Sequence, residues 1–456
     1  MLLKSWKKRF LPIAVISSLS FSSLAMPPSF AEAKGQAKQP KNIIFLIGDG
    51  MGVSYTSAYR YLKDNPKTKI AEKTYFDSYL VGQQMTYPED PAQNVTDSAS
   101  AATAMSAGIK TYNNAIAVDN DESAVKTVLE AAKEKGKSTG LVATSEITHA
   151  TPAAFGAHDI SRKNMNSIAD DYFDERILGK HKIDVLLGGG KNLFIRADRN
   201  LIKEFKKDGF SYVDNRNSLL NNKDNQVIGL FADAGLPKMI DRNKNTPSLE
   251  EMTKSAINRL KENKKGFFLM VEGSQIDWAG HDNDIVGAMS EMEDFEKAYK
   301  AAIEFAQKDK NTLVVATADH STGGFSIAAN GDYNWHAEPI KAAKKTPDFI
   351  AEQILKGENV EKTLKKYIAL SLTKKEIQSV QDAADSKNFT TIDNAIEDIF
   401  NTRSNTGWTT GGHTGEDVPV YAYGPKSDLF AGQKDNTDHA KLLFQLMGAK
   451  VTIKDK

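Results

Sequence analysis

The sequence predicts an α/β fold, a three-layer sandwich in which a largely parallel central sheet is flanked by helices and carries a helical insertion. Three observations point there. Short apolar runs recur along the chain, each followed by a polar or glycine-rich turn. Amphipathic stretches with helical spacing lie between them. Residues 331–404 break that alternation, being rich in charge with helical periodicity and no obvious buried strand.

Taken in order, residues 1–31 read as a secretory signal peptide. Lys4, Lys7, Lys8 and Arg9 precede an apolar run from Phe10 to Ala25, and cleavage is expected after Ala31 or Ala33. The run is short and contains five serines, which argues against an uncleaved anchor. Residues 32–41 are polar and small and are expected to be a flexible leader, so the folded domain spans 42–456. Buried strands are expected at 43–47, leading into Gly48-Asp49-Gly50, and at 139–143, leading into a loop with His149 and Thr151. Others are expected at 183–187 before Gly188-Gly189-Gly190, at 267–271 before Glu272, and at 312–316 before Asp319-His320. Helical spacing covers 122–135, 249–261, 350–384 and 392–400, and the chain returns to a strand at 418–423. No internal repeat of 20–50 residues is visible.

Composition narrows the function classes. The 456 residues suffice for one large core or two smaller ones, with 26% charged and 40% hydrophobic residues. Without residues 1–31 the chain is slightly acidic, which gives no electrostatic case for nucleic-acid binding. No segment after the signal is long and apolar enough to span a membrane, so an extracytoplasmic, secreted protein is expected. There are no cysteines, so disulfides, thiol catalysis and zinc–thiolate sites are excluded. Any metal must be held by His, Asp, Glu and hydroxyl oxygen.

The runs 43–47, 267–271 and 312–316 each end close to a carboxylate or histidine. In open α/β sheets ligands gather beyond the carboxyl ends of the strands, so Asp49, Glu272, Asp319 and His320 are expected to converge. Singly, each has a plainer reading as a turn, cap or polar-loop residue. Asp277 and His281 are four apart, which a helical turn would place on one side, although Gly280 weakens a regular helix. His413 lies between glycines that could aim its ring inward. Gly48-Asp49-Gly50-Met51-Gly52 lacks dinucleotide-binding spacing, and Gly188-Gly189-Gly190-Lys191 lacks the upstream glycine of a phosphate-binding loop. Ser98 precedes a run of small residues and would stand at a helix N-terminus, where N–H groups favour negative charge. In isolation that segment also reads as a plain N-cap.

These residues resemble the alkaline phosphatase family. The resemblance rests on 42–52, on 95–119 with Asp97-Ser98-Ala99, on His149-Ala150-Thr151-Pro152, and on 271–281, 317–324 and 411–419, all in family order. It implies hydrolysis of small phosphate monoesters through a phosphoserine on Ser98, with an alkaline optimum, two zinc ions and one magnesium. Asp277, His281 and His413 would hold the first zinc, and Asp49, Asp319 and His320 the second. Asp49 would be shared with magnesium, alongside Thr151 and Glu272. Arg162 matches the family's phosphate-binding arginine. The family is often a homodimer, but no interface is legible in the sequence.

The chain departs from the best-known enterobacterial pattern at two positions, where His149 and Trp278 replace Asp and Lys. His149 leaves the identity of the third metal open, and Trp278 cannot offer a positive charge to phosphate. His181, His336 and His439 are expected to be surface or capping residues, and His158 is left unassigned. Two rivals remain at this point. One is a phosphodiesterase, sulfatase or phosphomutase of the same superfamily; the other is a secreted metal- or phosphate-binding protein without turnover.

Overall fold

A computed structural model describes residues 39–451. The signal peptide and residues 32–38 of the leader lie outside the described residues. Ten strands form one sheet: β1 (Asn42–Gly48), β2 (Leu80–Met85), β3 (Ser138–Glu146), β4 (Val185–Gly189), β5 (Ser211–Val213), β6 (Val227–Leu230), β7 (Phe267–Gly273), β8 (Thr312–Thr317), β9 (Val418–Tyr423) and β10 (Gly432–Asp435). Their order across the sheet is β10-β2-β9-β8-β1-β7-β3-β4-β6-β5. Every pairing is parallel except the two made by β9.

The central strands are apolar throughout because both faces are covered. Alternate side chains feed different cores. Ile44, Leu46, Leu269, Val271, Val314 and Ala316 enter one, while Ile43, Phe45, Ile47, Phe268, Met270, Leu313 and Val315 enter the other. Helices α1 (Val53–Lys63), α2 (Ser98–Ala107), α3 (Val128–Glu134), α4 (Ala150–Gly156), α5 (Leu249–Leu260), α6 (Gln275–His281) and α7 (Ile285–Asp309) divide between these faces. Tyr55 and Tyr59 of α1, Met252 of α5 and Phe295 of α7 fill the first core. Ala99, Ala102 and Met105 of α2 and Ala153 of α4 fill the second. Register matters more for function. Ile47 pairs with Glu272 on one side and Thr317 on the other, so the turns after β1 and β8 and the end of β7 share one edge of the sheet.

Residues 331–404 hold helices Glu338–Lys341, Pro347–Leu355, Val360–Tyr367, Lys374–Asp385 and Phe389–Ser404. A ribbon pairing Ser326–Ile327 with Thr406–Gly407 joins the two ends of this excursion. Its Ile350, Ile392, Ile396 and Phe400 extend the first core.

The structure corrects several sequence expectations. Lys41 N–H donates to the Asn311 carbonyl at 2.8 Å and Pro40 is buried, so the end of the leader is attached to the sheet. Helical structure in 122–135 is confined to Val128–Glu134, because Thr127 and Glu130 form a capping box that starts the helix there. His181 is not a surface residue: it is buried, stacked on Phe205 and hydrogen bonded to Asp208 at 3.0 Å. His439 is 0% exposed, with rings of Phe45 and Phe430 each 5.7 Å away and neither ring nitrogen hydrogen bonded. Its charged neighbours in sequence lie on the outer face of an amphipathic helix whose inner face carries His439 and Leu443. His336 is exposed. His158 sits between Glu130 and Glu175, which hold it up at about 9 against the opposing effect of burial.

Burial pushes His439 down to about 4, so the fold keeps it neutral. The unfolded chain binds that proton near pH 6.5, and stability is therefore lost as pH falls from there toward 4. Denaturant titrations should show His439→Leu losing roughly 2–3 kcal/mol less than the wild type between pH 7.5 and pH 4.5. Equal losses would refute the assignment.

Candidate active site

The shared edge of the sheet collects the sequence-predicted residues. Asp49 follows β1 in a turn where Gly50 takes a φ of +69°, and Gly50 N–H donates to Asp319 Oδ1 at 3.0 Å. A Cβ on Gly50 would stand 2.6 Å from Thr322 Oγ1, so the approach of the two turns requires glycine there. Glu272 is the penultimate residue of β7, and Asp319 and His320 follow β8. Asp277 and His281 lie one turn apart on α6, with Oδ2 and Nε2 3.3 Å apart. Glycine at 280 lets this helix approach α1, since a Cβ there would meet Tyr55 Oη at 2.4 Å.

The three histidines are oriented alike. His281 Nδ1 lies 2.7 Å from the Gly411 carbonyl and His413 Nδ1 2.9 Å from the Thr96 carbonyl, which sets Nδ1–H as donor in both. His320 Nδ1 lies 3.3 Å from Thr322 Oγ1. The Nε2 atoms face the carboxylates and one another: His413 Nε2 is 3.6 Å from Asp277 and 3.1 Å from His281 Nε2, and His320 Nε2 is 3.5 Å from Asp49 and 3.4 Å from Asp319. Fixing one ring nitrogen on a carbonyl while presenting the other inward is how metal-binding imidazoles are held. His413 reaches the site because its short strand pairs with that of Ser321 and Thr322.

Ser98 is the first residue of α2, buried, with Oγ 3.2 Å from His320 Nε2. Asp97 caps that helix by accepting from Ser100 N–H at 3.0 Å, and its other oxygen accepts from Arg162 Nη1 at 3.1 Å. Arg162 Nη2 approaches His149 Nε2 at 3.1 Å. The His149 ring in turn meets the Trp278 ring edge-on at 5.7 Å. Burial and the Arg162 charge push His149 down to about 3, which keeps it neutral. Two contributors were missed from sequence. Asp97 reads as an ordinary cap, and nothing local signals its second bond, 65 residues away. Thr322 donates to Asp277 at 2.5 Å, again across a long separation.

The charges of this cluster are not balanced by the polypeptide. Burial and neighbouring carboxylates push Asp49 well above the ordinary range; Asp319 rises to about 7 for the same reasons, and Glu272 rises to about 7 through burial. Asp277 is held low despite its burial, by His281, His320 and His413. Both Asp49 oxygens, Asp319 Oδ2, Glu272 Oε1 and Thr151 Oγ1 are buried without a hydrogen-bond partner. Buried, orphaned oxygens of this kind are the donors a cation would satisfy. Three groups of ligand atoms lie within 4.8 Å of one another: Asp277 with His320 and His413, Asp49 with Asp319 and His320, and Asp49 with His149 and Glu272. The donor set fits metal ions, with two nitrogens and one oxygen in the first group and one nitrogen and two oxygens in each of the others.

The family model for Alkaline phosphatase matches residues 40–449. The chain belongs to the alkaline phosphatase family. It is 73% identical to Alkaline phosphatase 3 of Bacillus subtilis (strain 168), over 100% of both chains. Its structure is similar to that of a cold-active alkaline phosphatase from the psychrophile Shewanella sp., with TM-score 0.84 and 42% identity over 89% of this chain and 99% of that one. A mutant of TAB5 alkaline phosphatase with Mg bound in the M3 site superposes with TM-score 0.67 and 32% identity, over 91% of this chain and 100% of that one. This alkaline phosphatase is a phosphomonoesterase, and its family includes metalloenzymes such as that Mg-bound relative. No helix among the described residues is long and apolar enough to cross a membrane.

Proposed function

We propose that this alkaline phosphatase transfers the phosphoryl group of a small phosphate monoester first to Ser98 and then to water. Asp277, His281 and His413 hold one zinc; Asp49, Asp319 and His320 hold a second; Asp49, Thr151 and Glu272 hold magnesium, with His149 beside them. The observation that carries the reading is Ser98 Oγ, at the N-terminus of α2 and 3.2 Å from a histidine whose other nitrogen is engaged. Bound there, the cations supply the positive charge that lowers the serine pKa and offsets charge on the leaving oxygen.

The chain's own groups do the rest. Ser98 loses its proton and Oγ forms a bond to phosphorus as the ester P–O bond breaks, the alcohol leaving with a proton. The N–H groups opening α2 face the phosphoryl oxygens. Arg162 presents a planar fork to two of them, and Asp97 holds that fork in place. Water then bonds to phosphorus, the Ser98–phosphorus bond breaks and inorganic phosphate leaves. Two in-line displacements give net retention. Acid quenching during turnover of p-nitrophenyl phosphate, followed by peptide mapping, should recover phosphate on Ser98. Recovery on another residue would refute the assignment.

Asp97→Asn keeps the cap but removes the charge facing Arg162. The KM for p-nitrophenyl phosphate should rise about 10-fold, with little change in melting temperature. Trp278→Lys should bind inorganic phosphate about 10-fold more tightly, since a cation then joins Arg162 at the anion. An unchanged or weaker inhibition constant would count against that. The basic, apolar and small-residue pattern of residues 1–31 supports export from the cell.

A further inference from the structure

The helix Phe389–Ser404 packs against the turn that follows α6, where Asn401 Nδ2 donates to the Asn283 carbonyl at 3.0 Å. Beside that contact it turns Asp393 and Glu397, one helical turn apart, into the protein; they are 1% and 5% exposed. Asp393 Oδ1 and Glu397 Oε1 are buried with no hydrogen-bond partner. Oxygens of Asp282, Asp393 and Glu397 lie within 4.8 Å of one another. Lys238 is already engaged by Asp348 at 2.5 Å and by Asp282 and Asp284 at 3.5 Å each. Burial and Asp348 push Asp393 up to about 9, and burial and Asp284 push Glu397 up to about 11. Both acids therefore lack the counter-charge that buried carboxylates require.

We infer that Asp282, Asp393 and Glu397 form a structural cation site that takes Ca2+, separate from the catalytic cluster. Its donors are all oxygen, which suits a hard cation and not zinc. Ca2+ tolerates an irregular oxygen shell completed by water, whereas Mg2+ requires a near-ideal octahedron. A cavity of about 490 Å3 lined by Asp282, Asn394, Glu397, Asp398 and Asn401 provides access and room for water ligands. Because Asp282 directly follows His281, an ion here would fasten the helical excursion to the segment carrying Asp277 and His281.

The test uses enzyme already saturated with zinc and magnesium. Equilibrium dialysis against Ca2+ should give one further equivalent per chain in the wild type and none in the Asp393→Asn/Glu397→Gln double variant. Millimolar Ca2+ should raise the melting temperature of the wild type alone, by on the order of 5 °C. Absence of the extra equivalent in the wild type, or equal uptake by the variant, overturns the proposal. If the double variant does not fold, Asp393→Asn alone must weaken Ca2+ binding at least about 10-fold, and an unchanged affinity overturns it.

Discussion

Ser98→Ala should lower turnover of p-nitrophenyl phosphate by at least about 10^4-fold and abolish the phosphoenzyme, with bound metal unchanged. Alanine removes the hydroxyl at the α2 N-terminus that lies 3.2 Å from His320 Nε2. The neighbouring hydroxyls are not substitutes. Thr96 and Ser100 are bonded to each other at 2.6 Å, and Ser100 also donates to Asn113 at 2.9 Å. None of the buried carboxylates is touched, so metal affinity should hold, and losing one hydrogen bond should cost about 1 kcal/mol of stability. Steady-state kinetics paired with elemental analysis reads both effects. Full activity in the variant would exclude Ser98 as nucleophile, whereas lost metal would show that the serine acts in binding instead.

Removing all metal with a chelator should abolish activity and lower unfolding free energy by at least about 4 kcal/mol, reversibly on adding zinc and magnesium. The argument is electrostatic. Asp49, Glu272, Asp277 and Asp319 are all 3% exposed or less, and several of their oxygens have no partner within the polypeptide. Without cations these groups repel one another in a medium that screens poorly. The two cores on either side of the sheet do not depend on the metals, so the chelated protein should remain folded at room temperature with native far-ultraviolet circular dichroism. Retention of more than a few per cent of activity after complete removal, verified by elemental analysis, would contradict the assignment of these residues.

Much of the scaffold was readable in advance, for a simple reason. A parallel strand buried on both faces must be apolar along its length, so 43–47, 267–271 and 312–316 stand out against their polar turns. A carboxylate or histidine at the end of such a strand has few places to go except the edge of the sheet. The helix at 128–134 was misjudged because 122–127 continues an amphipathic pattern that the Thr127 cap interrupts. His181 and His439 were misjudged because charged neighbours mask an inward position on a helix or ribbon.

The kinds of ligand and the edge on which they gather were thus set by local composition and strand periodicity. Ser98 and its partners were not resolved at that level. The serine's segment reads equally as a plain cap until His320 is placed 3.2 Å from it, across 222 residues. Asp97 becomes a support for Arg162, and His413 turns its Nε2 inward, only through bonds spanning 65 and 317 residues. Side-chain reactivity depends on distances of a few ångströms and on exclusion of water, and both arise when separate segments pack together.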